Sequence, residues 1–268
     1  MRGRPVLLAV DAGNTNTVFA VFDDGGRGDD APLGQWRAMT DARRTSDEYA
    51  VWLGQLLARD GLSLADVDEA IVSSVVPQGI CALKSLCADH CGCVAQVVGE
   101  WGLELGIEVN VPRPEEVGAD RLVNTVGAHI RHAGALIVLD FGTATTFDSV
   151  SAEGAYEGGI IAPGIGLSLE ALHQAAAQLP LIAVKRPEKV IAHATVPAMQ
   201  SGIYWGYVGL IEGIVARMKT EIGTPVTTVA TGGLAGLFGD ATPAIDAVDP
   251  DMTIRGLREI HRRNRRRR

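Results

Sequence analysis

Short apolar runs at residues 6–10 and 18–22 enclose the polar tip AGNTNT, and the same arrangement returns at residues 136–139 and 147–150 around the tip FGTATT. Val/Leu/Ile runs of this length predict buried strands, and a polar stretch between two of them predicts a hairpin. A third strand is expected after each hairpin, at residues 34–39 and 158–162. In the first half a helix over residues 47–59 is expected, capped by Ser46, with Tyr49, Val51, Trp52, Leu53, Leu56 and Leu57 as its apolar face. A strand at 69–75, a helix at 79–89 and a strand at 94–98 complete this half. Residues 106–114 read as a connector broken by Pro112 and Pro114. The second half adds a helix over 119–132 before its hairpin, a helix over 167–179 ended by Pro180, and a long helical region over 196–222. A strand at 226–231 runs into Gly232 and Gly233, and a last helix covers 253–262. Three consecutive strands followed by alternating helix and strand is an α/β pattern.

A motif repeated at almost half the chain length implies a duplicated fold. The expected domains are 1–115 and 116–268, with the arginine-rich end at 262–268 a disordered, solvated extension. Composition adds limits. An apolar fraction of 47% and a charged fraction of 21% are those of a soluble globular chain, and a net charge of −8 argues against nucleic acid as the main partner. No run of eighteen apolar residues suggests a membrane span, and the N-terminus lacks a secretory pattern, so a cytoplasmic location is expected. Cys81, Cys87, Cys91 and Cys93 cluster around His90, but without a C-x-x-C spacing; helix-borne thiols are expected rather than a zinc site. Gly202, Gly206, Gly209 and Gly213 recur every three or four residues, which would give the long helix a flat stripe for close packing within the chain or against a second copy.

The chemistry of the repeat lies in its order: strand, aspartate, glycine, then small polar residues. Glycine lets backbone N–H groups approach a ligand, and concave clusters of such groups bind anions. Asn14, Thr15, Asn16 and Thr17, with Thr143, Thr145 and Thr146, can hydrogen-bond phosphate oxygens without filling the site. An ionised Asp11 or Asp140 repels phosphate unless a cation lies between them. Read alone, each turn could also be an ordinary hairpin whose aspartate caps its own backbone. There is no P-loop signature, and the four lysines (Lys84, Lys185, Lys189, Lys219) follow no glycine-rich strand end.

Five further segments, VGADRLVN at 117–124, DFGTATT at 140–146, GGIIAPGIGLSLEAL at 158–172, SGIYWGYVG at 201–209 and ATGGLA at 230–235, together with the first turn, resemble the type III pantothenate kinases. That family sits in the actin/hexokinase/Hsp70-like ATPase superfamily. The resemblance implies an α/β fold of two duplicated actin/ribonuclease-H-like domains, each a mixed sheet flanked by helices, with a cleft between. It also implies ATP-dependent phosphorylation of pantothenate to 4′-phosphopantothenate, with Mg2+, a potassium or ammonium ion, and a homodimer. By the same resemblance Asp11, Ala12, Gly13, Asn14, Thr15, Asn16, Thr17 and Val18 form the first phosphate motif. Thr143 is an ATP contact, and Gly232 and Gly233 form the adenosine-side turn. Gly118, Ala119, Asp120 and Arg121 face pantothenate, with Thr195 a further contact and Asp120 the general base. Asp140 holds the monovalent cation, and Asp11 acts on Mg2+, through water. One departure is Val111, which stands where many members carry a substrate-contacting tyrosine.

Without the resemblance, Asp120 could equally be an acid at a helix N-terminus, and Arg121 a surface ion-pair partner rather than the partner of the pantothenate carboxylate. The six histidines form no metal or triad spacing and read as structural. Three alternatives remain open at this level: a kinase or phosphatase of the superfamily with another substrate, a non-catalytic regulatory member, and a dinucleotide oxidoreductase suggested by APGIGLS. The last lacks the third glycine and the downstream acid.

Overall fold

A computed structural model describes residues 5–23, 31–176 and 179–265. The first half begins with β1 (Val6–Ala12), β2 (Asn16–Asp23) and β3 (Gly34–Met39). Helix α1 (Ser46–Arg59), strand β4 (Val67–Ser74), helix α2 (Pro77–Ser85) and strand β5 (Ala95–Val97) follow. The second half holds α3 (Ala119–His129), β6 (Ala135–Phe141), β7 (Ala144–Val150), β8 (Tyr156–Pro163), α4 (Ile165–Ala175), α5 (Thr195–Ile222), β9 (Val226–Gly232), α6 (Ala235–Phe238), β10 (Ala247–Val248) and α7 (Met252–Arg265).

The duplication is complete at the level of topology. One sheet has the order β3-β2-β1-β4-β5 and the other β8-β7-β6-β9-β10. In both, the first three strands are antiparallel neighbours and the last two add in parallel. Strand alternation then fixes where the aspartates point. Leu8, Val10 and Ala12 enter the core against α1 residues Tyr49, Leu53 and Leu57, while Ile137, Leu139 and Phe141 enter the core against α5 residues Tyr204, Val208 and Ile211. Asp11 and Asp140 therefore lie on the opposite face of their sheets.

Several local boundaries differ from the sequence expectation. Thr45, not Ser46, caps α1: its hydroxyl accepts from Glu48 N, and the Glu48 carboxylate accepts from Thr45 N at 2.8 Å. This reciprocal box satisfies two otherwise orphaned donors, which Ser46 one residue later could not do. The helix expected over 79–89 begins earlier because Pro77 occupies its first turn, and it passes into a π-helical turn, Leu86–Cys91, ended by Gly92 at φ 74°. Cys87 and Cys91 are buried on that turn, and no group of three or more metal-ligating side chains occurs among the described residues.

The largest difference concerns the units. By contacts, one unit is Met1–Gly106, Arg113–Gly127 and Thr253–Arg268, and the other is Ile107–Pro112 and Ala128–Met252. The division expected at 115/116 therefore moves, with most of α3 and all but the first residue of α7 joining the first unit. Helix α7 explains this. Gly256 lies so close to Val123 of α3 that a Cβ would collide with its carbonyl, and Thr253 Oγ1 donates to Asn124 Oδ1 at 2.6 Å. Arg258 stacks over Phe22 at 4.7 Å, and His261 bridges Gln96 and Glu69 at 2.9 and 3.0 Å. Such contacts also correct the expectation for the basic end. Arg262, Arg263 and Arg265 are helical, and Arg263 donates to the carbonyls of Leu105 and Gly106. Residues 266–268 of that expected tail lie outside the described residues.

Candidate functional site

The two polar turns are related but not identical. In the first, Ala12 pairs with Thr17, so four residues make the connection, and Gly13 N donates to Asn16 O at 3.0 Å. In the second, Phe141 pairs with Thr145, so three residues suffice, and Gly142 N donates to Ala144 O at 3.0 Å. Asn14, Thr15 and Asn16 are exposed at the first tip, as are Gly142 and Thr143 at the second; Thr17 and Thr145 are buried at the base. Small polar groups and backbone N–H donors at the end of a central strand are what an oligophosphate requires.

The strand register also separates the two aspartates. Asp140 lies between Thr146 of β7 and Thr231 of β9, so a hydroxyl stands beside the carboxylate on each neighbouring strand. Asp11 lies between Val18 of β2 and Ser73 of β4. Paired residues share a face of the sheet. Thr146 and Thr231 are thus the register neighbours of Asp140, and the Thr146 hydroxyl also donates to Asp148 Oδ2 at 3.4 Å. Ser73 is the hydroxyl-bearing register neighbour of Asp11.

Two glycines press against the second turn. Gly232, at φ 92°, is packed so that a Cβ would meet Asp140 Oδ1 and, at 2.7 Å, the backbone of Phe141. Gly164, which precedes α4, would place a Cβ onto the carbonyls of Thr143 and Gly142. Gly233 N donates to Phe141 O at 3.2 Å. Asp140, Thr143, Gly232 and Gly233 are therefore brought together within one unit. The role of Gly164 escaped sequence reasoning, because its φ of −72° is ordinary and only tertiary crowding excludes a side chain there.

Asp120 and Arg121 occupy the first turn of α3, in the other unit. The Asp120 Oδ1 accepts from Arg121 N at 2.8 Å, and Gly118 O accepts from Arg121 N at 3.1 Å. Gly118 is crowded by the same carboxylate, with a Cβ falling 2.6 Å from Asp120 Oδ1. Burial pushes the Asp120 carboxyl above the ordinary carboxylate range, against the opposing pull of the Arg121 amide and guanidinium. A desolvated carboxylate of raised basicity is what proton abstraction from a hydroxyl uses.

Val111 and Thr195 fall in the second unit. Val111 lies 3.8 Å from where a Gly158 Cβ would be, and its segment is tied to β8 by hydrogen bonds between Asn110 and Tyr156 and between Tyr156 and Glu108. Thr195 is exposed as the first residue of α5. Sequence reasoning also missed two polar residues beside the turns. Thr40, at the end of β3, bonds to the first turn three times, and Asp148 is fully buried on β7, accepting from Thr146 Oγ1 at 3.4 Å. Their signal was only a hydroxyl or acid in an otherwise ordinary strand.

Comparison with known proteins adds to this geometry. The family model for type III pantothenate kinase matches residues 7–217. A curated type III pantothenate kinase of Paramagnetospirillum magneticum is 59% identical over 259 residues, covering 97% of this chain and 98% of that protein. Among solved structures, a putative 2-dehydro-3-deoxygalactonokinase from Sinorhizobium meliloti superposes with a TM-score of 0.61 at 14% identity, covering 96% of each chain. A putative Baf family transcriptional activator from Campylobacter jejuni superposes with a TM-score of 0.58 at 18% identity, covering 97% of this chain and 99% of that one. These two share the fold. No helix among the described residues is long and apolar enough to cross a membrane.

Proposed function

The chain belongs to the type III pantothenate kinase family, and we propose a division of labour among its residues for the ATP-dependent phosphorylation of pantothenate, the first step of coenzyme A synthesis. One observation carries the proposal. In both sheets the central strand carries an aspartate as its next-to-last residue, two residues before the glycine that opens a hydrogen-bonded polar turn. The residues 11–18 grip the ATP phosphates, Thr143 adds a contact, and the Gly232–Gly233 turn lies on the adenosine side. Asp11 would hold hydrated Mg2+, and Asp140 with Thr146 and Thr231 would hold potassium or ammonium. When bound, these cations neutralise charge on the phosphates, which is most of what phosphoryl transfer asks of a protein.

Gly118, Ala119, Asp120 and Arg121 face pantothenate, with Val111 and Thr195 as further contacts. Arg121 pairs with the substrate carboxylate, since a guanidinium offers a bidentate fork. Asp120 accepts the proton of the substrate hydroxyl as its oxygen bonds to the γ-phosphorus and the bond to ADP breaks. A cytoplasmic location accompanies this reading.

The test is phosphorylation of pantothenate by purified protein in potassium and in sodium. Turnover in potassium, falling about tenfold or more in sodium, is expected, and Asp140→Ala should erase the difference between the two salts. No turnover in potassium would overturn the proposal.

A homodimer belongs to the same reading. Ile161, Leu167, Leu181, Val190 and Ile191 are large apolar residues that stay exposed on β8, α4 and the chain before α5. Those segments are tied to α5 through Ser168–Tyr207, Gln200–Ala183 and Ser201–Val190 hydrogen bonds. On α5 itself, Gly202, Gly206 and Gly209 face open space. An apolar face of this kind, with room for close helix approach, fits a second copy. Sedimentation at about twice the monomer mass is expected for the wild type, and at the monomer mass for Ile161→Glu. Equal sedimentation of the two would remove this face as the interface.

A further inference from the structure

Thr40 lies outside the short motifs that carry the family resemblance, yet it holds the first turn at three points. Its hydroxyl donates to Gly13 O at 2.8 Å and meets Thr17 Oγ1 at 2.9 Å, and its backbone N donates to Thr15 O at 3.0 Å. The contacts reach across 27 and 23 residues, so they come from the fold and not from the turn's own sequence. They also act on direction. A trans peptide is planar, with C=O and N–H pointing to opposite sides, and no cis bond occurs among the described residues. Holding Gly13 O toward Thr40 therefore turns the Asn14 N–H away from it. Holding Thr15 O does the same for the Asn16 N–H. Asn14, Thr15 and Asn16 are the exposed residues of this turn, so the released donors belong to its open tip. The Thr17 hydroxyl, fully buried, is fixed by the same residue.

We propose that Thr40 is a positioning residue of the nucleotide site: its hydroxyl aims the backbone donors of the Gly13–Asn16 turn at the polyphosphate of ATP. The claim rests on the phosphate-gripping role given above to residues 11–18. Preorganised donors bind without reorganising, whereas a turn freed to rotate its peptide planes must be ordered by the ligand. At the second turn Gly142 N donates to Ala144 O and Gly233 N donates to Phe141 O, and Gly164 and Gly232 pack against its backbone. The Thr40 bonds thus act on the first turn, and close packing by Gly164 and Gly232 acts on the second.

The experiment compares wild type, Thr40→Val and Thr40→Ser. Valine keeps the shape and the backbone bond but removes both hydroxyl contacts; serine keeps the hydroxyl. Calorimetric binding of a non-hydrolysable ATP analogue with Mg2+ is read beside KM for ATP, KM for pantothenate, kcat and thermal midpoint. Thr40→Val is expected to weaken analogue binding and raise KM for ATP by about tenfold, with KM for pantothenate within about twofold of wild type. Thr40→Ser should restore most of the nucleotide affinity. Unchanged analogue binding in Thr40→Val overturns the inference. So does a Thr40→Ser variant as weak as Thr40→Val, which would assign the effect to the methyl group's packing. If wild type binds no nucleotide, the phosphate reading of the turn fails and this inference with it. If wild type binds nucleotide without phosphorylating pantothenate, the substrate assignment fails while the role of Thr40 is still decided by the binding data.

Discussion

Asp120→Asn is expected to lower kcat about 100- to 10,000-fold in a protein that stays folded, the range general-base catalysis supplies. Asparagine is nearly isosteric and keeps the oxygen that accepts from Arg121 N, so the first turn of α3 should not change. Stability should move the other way. Burial raises the Asp120 pKa above its unfolded value, so in the interval between the two the folded chain holds the extra proton. Stability attached to this group is then fully present below the unfolded pKa and is lost as pH rises through the folded one. At neutral pH the ionised carboxylate is a net cost that asparagine removes, and the thermal midpoint should stay level or rise. The same shift sets the acid limb of the wild-type profile. Activity should fall as pH drops through a value above the ordinary carboxylate range. Near-full kcat in Asp120→Asn, or an acid limb at an unshifted carboxylate pKa, would remove Asp120 as the base.

Gly232→Ala and Gly164→Ala should each cost about 2–4 kcal/mol of stability and remove nucleotide binding, although both are the smallest possible substitutions. For Gly232 two effects add. A φ of 92° is poorly accessible to alanine, and the new methyl would strike Asp140 Oδ1 and the Phe141 backbone. For Gly164 the backbone angle is ordinary, and the whole cost comes from collision with the carbonyls of Gly142 and Thr143. Backbone cannot rotate aside as a side chain can, so the turn must shift. Gly233→Ala is the internal control for stability alone, since nothing in the chain lies within 4 Å of its Cβ position. Chemical denaturation with calorimetric binding of an ATP analogue would measure all three. Wild-type affinity in Gly164→Ala would show that the second turn tolerates displacement and is not a nucleotide contact.

Much of the fold could be read in the chain because its signals are local. The apolar run before each Asp-x-Gly gave β1 and β6, the third strand of each half was expected where β3 and β8 lie, and α5 differs by one residue from its expected start. The GADR segment and the two turns were visible because their chemistry needs particular small residues in fixed order. The first cap was misread by one residue, since Thr45 and Ser46 are equivalent caps until Glu48 chooses between them through its hydrogen bond to Thr45 N. The end of the chain was misread more seriously. Six arginines in seven residues resemble a solvated tail. The helix expected over 253–262 already holds the apolar positions Ile254, Leu257 and Ile260, but its continuation to Arg265 is fixed by partners of Arg263 and Asn264 that lie more than 150 residues away.

The sequence by itself therefore determined the duplication, the two aspartate-ended turns and the family, because strand periodicity and turn chemistry act over a few neighbouring residues. Tertiary structure alone decided that most of α3, carrying Asp120, joins the first unit under α7. It also decided that Thr40 orients one turn and that Gly164 and Gly232 confine the other. The physical reason is the same in each case. A hydrogen bond across 27 residues, or a backbone contact too close for a methyl group, depends on where distant segments meet, and no local propensity encodes that meeting.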